Sequence, residues 1–223
     1  GCRLQLEDPW VSDIFREIEE EVRRDQLLEM WKKYRVLIIA GIAAVILGVG
    51  AYQFWQGYQE RQRVAAAEAY ALAEAQLVAG ERQEALGRFA ELADPEAGGY
   101  ALLAAFELAR LAAEDGNSEL AMETWGAIAE SSAPPAYRDA AVLAAAAHRI
   151  GRGEVEEAEA MLMPLMEPGR PYRALALELS AVAAMAQEDA QAARERLENL
   201  LADIEVPVGV RQRAEELLES LNE

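Results

Sequence analysis

Hydrophobic side chains follow two patterns along this chain. From 36 to 55 they are nearly continuous, VLIIAGIAAVILGVGAYQFW, and no charged residue falls between Arg35 and Glu60. Twenty helical residues rise about 30 Å, the thickness of a bilayer's hydrocarbon core. Tyr34, Tyr52, Trp55 and Tyr58 flank this run, where amphipathic rings favour the headgroup level. Beyond residue 60 the apolar positions instead recur at helical spacing, broken by turn glycines and proline clusters. No glycine-flanked run of β-branched residues suggests a strand, so the pattern predicts an all-α chain.

The second pattern repeats. A turn position is followed five residues later by alanine, at Gly80 and Ala85, Gly116 and Ala121, Gly153 and Ala158, and Glu188 and Ala193. The turn positions are 36, 37 and 35 residues apart. Four residues after each alanine stands a large apolar residue, Phe89, Trp125, Leu162 or Leu197. Three further on comes Leu92, Ile128, Leu165 or Leu200. Seven residues before each turn stands Ala73, Ala109, Ala146 or Ala181, and sixteen before it Val64, Tyr100, Tyr137 or Tyr172. Prolines close the units at Pro95, Pro134 with Pro135, Pro168 with Pro171, and Pro207. Small residues at fixed positions let two helices approach closely, large ones fill the space toward the next unit, and proline stops each pair. One unit alone leaves an apolar face exposed, and stacking buries it. About four helix pairs are expected over 60–223, with a final helix near 208–222 acting as a polar-faced cap.

Before the apolar run, Ser12 is a plausible N-cap, and Ile14, Ile18 and Val22 follow at i+4 steps beside Phe15. Residues 1–35 therefore form a short segment containing an amphipathic helix over 12–31. Val11-Ser12-Asp13 fits a start read from a GTG codon, so residues 1–10 are expected to precede the natural start. Residues 16–35 hold six basic side chains (Arg16, Arg23, Arg24, Lys32, Lys33 and Arg35), whereas 56–75 hold two, Arg61 and Arg63. That asymmetry predicts a cytoplasmic N-terminus and a translocated C-terminal domain. The apolar run is long for a signal peptide, and charges separate it from Ala65-Ala66-Ala67, so it reads as an uncleaved anchor. Ala40, Ala44 and Gly48 give one face of the span small side chains, the kind that permits close helix packing.

Charge narrows the partners. The net charge is −19; residues 1–59 carry 7 basic and 9 acidic side chains, and residues 60–223 carry 14 and 31. Such a domain suits neither nucleic acid nor tight contact with anionic lipid. Cys2 is the single cysteine, which leaves no disulfide framework and no cysteine-based metal site. His148, the single histidine, has no second His or Cys to share a metal and reads as structural. Glu154, Glu156, Glu157 and Glu159 open a helix, where acids meet the N-terminal dipole. No Gly-x-Ser-x-Gly elbow or phosphate-binding glycine loop occurs. Neither catalysis nor a cofactor is expected.

The alanine, aromatic and proline positions Ala85, Phe89 and Pro95, and Ala121, Trp125 and Pro134, resemble the tetratricopeptide repeat. The units here run slightly long, the family's first-helix Trp and Tyr are mostly replaced, and Glu188 stands where a turn glycine is usual. The resemblance implies a right-handed solenoid. In such arrays the first helix of each unit lines a concave groove. Carried over, that places Tyr70 and Glu74, Phe106 and Arg110, Leu143, Glu178 and Val182 on the groove. The N-terminal box SDIFREIEEEVRRDQ, followed by WKKY, one span and divergent repeats, is similar over 11–223 to the YfgM-like ancillary subunits of the bacterial Sec translocon. That resemblance implies a single-pass inner-membrane protein with a periplasmic domain. The implied partners are the Sec channel subunits, a periplasmic prolyl-isomerase-like chaperone and emerging exported polypeptides. The expected function is thus a non-catalytic translocon accessory that tethers chaperone or client. The alternative is an envelope-assembly or stress-signalling scaffold unrelated to the translocon.

Overall fold

The computed structural model describes the backbone of residues 9–221 and the side chains of 33–221. The residues expected to precede the natural start, 1–10, fall almost wholly outside that range, and the side chains of the expected 12–31 helix lie outside it. The chain divides into two compact units, Gly1–Arg61 and Gln62–Glu223. No strand occurs among the described residues. The first helix, α1 (Pro9–Val78), supplies all the described structure of the first unit and opens the second. Proline is tolerated at a helix start, where its missing N–H has no partner to lose. The 36–55 side chains lie on α1 and are exposed, with no protein packed over them. The segment Lys33–Val78 is long and apolar enough to cross a membrane, with a most apolar window of mean hydropathy 2.2.

The second unit is a stack of helical hairpins. After α1 come α2 (Arg82–Leu92), α3 (Gly99–Glu114), α4 (Ser118–Glu130), α5 (Pro135–Gly151) and α6 (Val155–Leu162). Then follow α7 (Arg173–Ala186), α8 (Ala190–Ala202) and α9 (Val208–Ser220). The hairpins are the 62–78 part of α1 with α2, α3 with α4, α5 with α6, and α7 with α8. The cap α9 covers the last pair through Val210, Ala214 and Leu217.

All four hairpin turns have one geometry. Gly80, Gly116 and Gly153 take φ of 84°, 80° and 80°, and Glu188 takes 60°. The N–H after each turn residue donates to the carbonyl five positions back, as Glu81 to Gln76, Asn117 to Ala112, Glu154 to Arg149 and Asp189 to Ala184. This left-handed closure satisfies carbonyls that a helix end otherwise leaves unpaired. It also fixes where the two helices meet. Ala73 packs near Ala85, and Ala109 near Ala121; Ala146 accompanies Ala158, and Ala181 accompanies Ala193. All eight are 0% exposed. Phe89, Leu162, Leu165, Leu197, Leu200 and Ile128 are fully buried, and Trp125 is nearly so. Each faces the following unit, as Phe89 does against Ala104, Leu108 and Leu111, and Trp125 against Ala141 and Ala145. Burying one such side chain is worth about 1.5–3 kcal/mol.

One pair departs from the pattern. Helix α6 ends at Leu162 and continues as a 3₁₀ turn, Met163–Met166. Pro164 lacks the N–H that an α-helical bond to Ala160 needs, and its ring crowds that carbonyl. The tighter turn still brings Leu165 into the core.

Glu188 supplies a direct test of the turn. A side chain in the left-handed region costs about 1–2 kcal/mol, partly offset by the greater chain entropy glycine loses on folding. Glu188→Gly is therefore expected to stabilise the domain by about 0.5–1 kcal/mol, seen as a higher urea midpoint at unchanged m-value. Gly116→Ala should shift the midpoint the other way.

Candidate protein-interaction site

Ten residues before each turn stand Tyr70, Phe106, Leu143 and Glu178, and six before it stand Glu74, Arg110, Ala147 and Val182. These positions lie on the first helices of the hairpins, α1, α3, α5 and α7; two of the former meet the next first helix and a third meets the cap. The Tyr70 ring lies 5.5 Å from that of Tyr100 on α3, and it meets Phe89 edge-on, also at 5.5 Å. Phe106 on α3 lies 6.5 Å from Tyr137 on α5. In the fourth pair the same contact becomes ionic. Arg213 of α9 donates from Nε and Nη2 to the two carboxylate oxygens of Glu178, both at 2.6 Å. Leu143 is half-buried against the core formed by Ala146, Ala158, Leu162, Leu165 and Ala176. Val182 is half-buried on α7, and Glu74 is exposed beside Tyr70.

Arg110 is held within its own helix. It donates to Glu107 on one side and to Glu114 on the other, the latter at 2.5 Å. Arg82 of α2 reaches Glu114 as well, at 2.8 Å, and Asp115 at 2.6 Å. Hydrogen bonds from Arg82, and then from Arg110, hold the Glu114 carboxyl below the usual range. Burial, followed by the nearby Glu107 and Glu74, pushes the Tyr70 phenol up to about 12.

The sequence pattern marked Tyr100 and Tyr137 as repeat positions but did not place them against the groove residues. It also read Arg213 only as part of a polar cap face. A cleft of about 340 Å³ opens beside Tyr100 and Tyr137, lined also by Pro95, Leu103, Ser132 and Pro134. Glu96 fastens its rim, accepting from the Ser132 N–H at 3.1 Å and from the Ser132 hydroxyl. This surface combines exposed aromatic faces with carboxylates. It can hold an extended chain or a helix by apolar contact and repel acidic ones.

His148 joins two pairs. Its Nε2 lies 2.8 Å from Ser118 Oγ, which accepts from Arg152 Nη1 at 3.0 Å. Arg152 can only donate, so Ser118 Oγ accepts from it, while the direction of the bond to His148 follows the imidazole tautomer. The Trp125 ring lies 5.6 Å from the imidazole. Among the described residues, no three His, Cys, Asp or Glu side chains cluster as a metal site would require. Ala40, Ala44 and Gly48 are exposed on α1, and a Cβ at Gly48 would meet nothing within 4 Å.

A family model described as a tetratricopeptide repeat-like domain matches residues 29–218. No curated protein matches the sequence. Two solved structures of kinesin light chain TPR-like repeats from Podosopora anserina are similar in fold, at 22% and 24% identity. Their TM-scores are 0.47 and 0.46, and each alignment covers 70% of this chain and 92% of theirs.

The packing around Tyr70 has a spectroscopic consequence. A free phenol ionises near 10, so Tyr70, held to about 12, favours the folded state while protonated. That contribution is complete below pH ~10 and is lost as pH climbs through the folded value. Alkaline difference absorbance should show a late tyrosine phase that Tyr70→Phe removes. Glu107→Gln is expected to move that phase to lower pH.

Proposed function

Because the chain belongs to the tetratricopeptide repeat-like domain family, we propose that it is a membrane-anchored protein-interaction scaffold serving the bacterial Sec translocon. Tetratricopeptide repeat-like domains are interaction modules, and their work is to hold polypeptide partners. The observation that carries the anchor is the apolar run at 36–55, whose side chains have no protein cover. Apolar surface of this extent needs lipid or another protein over it. The matched residues 29–218 include this run.

The basic excess before the span favours a cytoplasmic N-terminus and a periplasmic repeat domain. The box SDIFREIEEEVRRDQ supports the translocon assignment, through its likeness to the YfgM-like subunits. On this reading the span keeps the domain beside the channel, and the groove holds a prolyl-isomerase-like chaperone or an emerging chain. Tethering raises the partner's effective concentration at the exit without requiring a tight groove. Ala40, Ala44 and Gly48 form the face through which the span packs on a membrane partner, and Tyr70, Glu74, Phe106, Arg110, Leu143, Glu178 and Val182 are the groove contacts. The mechanism is non-catalytic: holding and handing over.

In-cell photo-crosslinking from Ala44 and Phe106 tests both halves. Channel subunits should be captured from Ala44, and a periplasmic chaperone or exported chains from Phe106. Adducts confined to an envelope-assembly or signalling complex would replace the translocon reading with the alternative scaffold. Phe106→Ala should reduce capture at neighbouring groove positions several-fold, since a buried aromatic contact is worth about 1 kcal/mol or more.

A further inference from the structure

In a stack of hairpins, each pair is covered on one side by the pair before it. The first helix offers the covered surface at positions twelve, eight and five residues before its turn. In the second pair these are Ala104, Leu108 and Leu111, which receive Phe89. In the third they are Ala141, Ala145 and His148, which receive Trp125. In the fourth they are Ala176, Ser180 and Ala183. All of these but His148 are buried. The same positions in the first pair are Glu68, Leu72 and Ala75, and all three are exposed, Leu72 by 48%. Val64 stands where Tyr100 and Tyr137 lean on the pair before them, and it is 47% exposed.

The second helices repeat the contrast at four and eight residues after the turn. Leu120 of α4 reaches back to the core of the preceding pair, and Thr124 is buried. Arg196 of α8 donates across the seam to Glu159 of α6, and at 2.7 Å to the Ser180 carbonyl. Their counterparts on α2 are Glu84 and Arg88, both exposed. Among the described residues, Arg88 pairs with no carboxylate and Glu68 and Glu84 with no cation. The opposite end of the stack differs. There α9 covers the last pair and turns Gln212, Glu215, Glu216 and Glu219 outward. A repeat array needs a polar cover at each end, and the first pair has none within the unit.

We propose that this open face is covered by the same face of a second copy, so that the repeat units form a two-fold dimer. Charge selects the occupant. The face carries Arg88 with Glu68 and Glu84, beside Val64, Leu72 and Ala75. A basic partner leaves Arg88 unanswered, an acidic one meets Glu68 and Glu84, and lipid answers neither sign. A second copy answers both. With the two-fold axis along the helices, α2 of each copy lies on α1 of the other. Arg88 and Leu72 stand eight residues to either side of the turn and are therefore level. Glu68 is one helical turn further along, about 6 Å. Arg88 then reaches Glu68 of the second copy, and symmetry makes the ion pair twice. Arg196 already spans such a seam within the unit, from the position equivalent to Arg88. Between the ion pairs, Val64 and Leu72 of each copy pack on the arginine stem and the small side chains of the other. Assembly stops at two, because each open face is taken up by its own kind and α9 leaves the far end polar.

The test uses cells making two full chains with different tags, one of them carrying a photo-crosslinking residue in place of Leu72, or of Val208 at the cap end as a control. Illumination should join the two tags from position 72, with the adduct mapped to 82–92 of the other copy, and should not join them from position 208. Arg88→Glu in both chains should cut that adduct about tenfold, and so should Glu68→Arg. Combining the two should restore it, because the ion pair re-forms with its signs exchanged, which a misfolded variant does not reproduce. The dimer is wrong if position 72 yields no two-tag adduct, if it yields adducts with other proteins alone, or if the charge reversals leave the adduct unchanged. The adduct is scored alike in membrane and soluble fractions, so its failure is separate from a failure of the proposed anchor.

Discussion

The repeat unit depends on the closeness with which the two helices of each hairpin can pass. Ala73 with Ala85, Ala109 with Ala121, Ala146 with Ala158 and Ala181 with Ala193 leave no side chain to hold the backbones apart. The left-handed turn between them sets the register that brings each pair to the crossing. Phe89, Trp125, Leu162 and Leu197 are directed to the next unit, which is why no pair is complete by itself. Overpacking such a crossing costs about 1–3 kcal/mol or more, so the alanines are as restrictive as any large core residue.

Around this apolar register the units are joined again by polar contacts. At the turn end, Arg82 reaches Asp115 and Ser118 receives Arg152. At the loop end, Glu96 holds Ser132 and Arg173 holds Asp203. On the second helices, Arg196 ties Glu159 to Ser180. These are mostly partly exposed pairs, worth about 0–1 kcal/mol each, so they tune the geometry of the stack more than they hold it up. Their effect on function is larger. They occupy many of the arginines of an already acidic unit and leave a surplus of carboxylates facing outward. A partner must therefore tolerate or complement negative charge.

Much of the fold was readable from the chain. The interval between Gly80, Gly116, Gly153 and Glu188 gave the hairpins, and the alanines counted from each turn proved to be the buried ones. Proline positions gave the unit boundaries, and the cap was placed within two residues of its observed limits. Other features lay beyond a periodic reading. The 3₁₀ turn at Met163–Met166 follows from Pro164 but was masked by the well-placed Leu162 and Leu165. The repeat pattern assigned the proposed groove residues to helix positions, but not the contacts those residues make. Tyr100 on Tyr70, Tyr137 on Phe106 and Arg213 on Glu178 join residues about thirty positions apart, and a repeat pattern gives their phase without saying which side chain meets which. The His148, Ser118 and Arg152 arrangement is of the same kind: three polar residues related by unit-to-unit stacking and by no local motif.

The uncovered apolar run and the stacked hairpins are the two features on which the proposed membrane-held scaffold rests. Alkaline carbonate extraction of membranes from cells making the full chain tests this most directly. A membrane-held scaffold stays in the lipid pellet, and joint replacement of Ile38, Ile42 and Ile46 by aspartate sends it to the supernatant with its repeat unit still folded by circular dichroism. Release of the unaltered chain into the supernatant would contradict the anchor, and the apolar run would then need a protein to cover it.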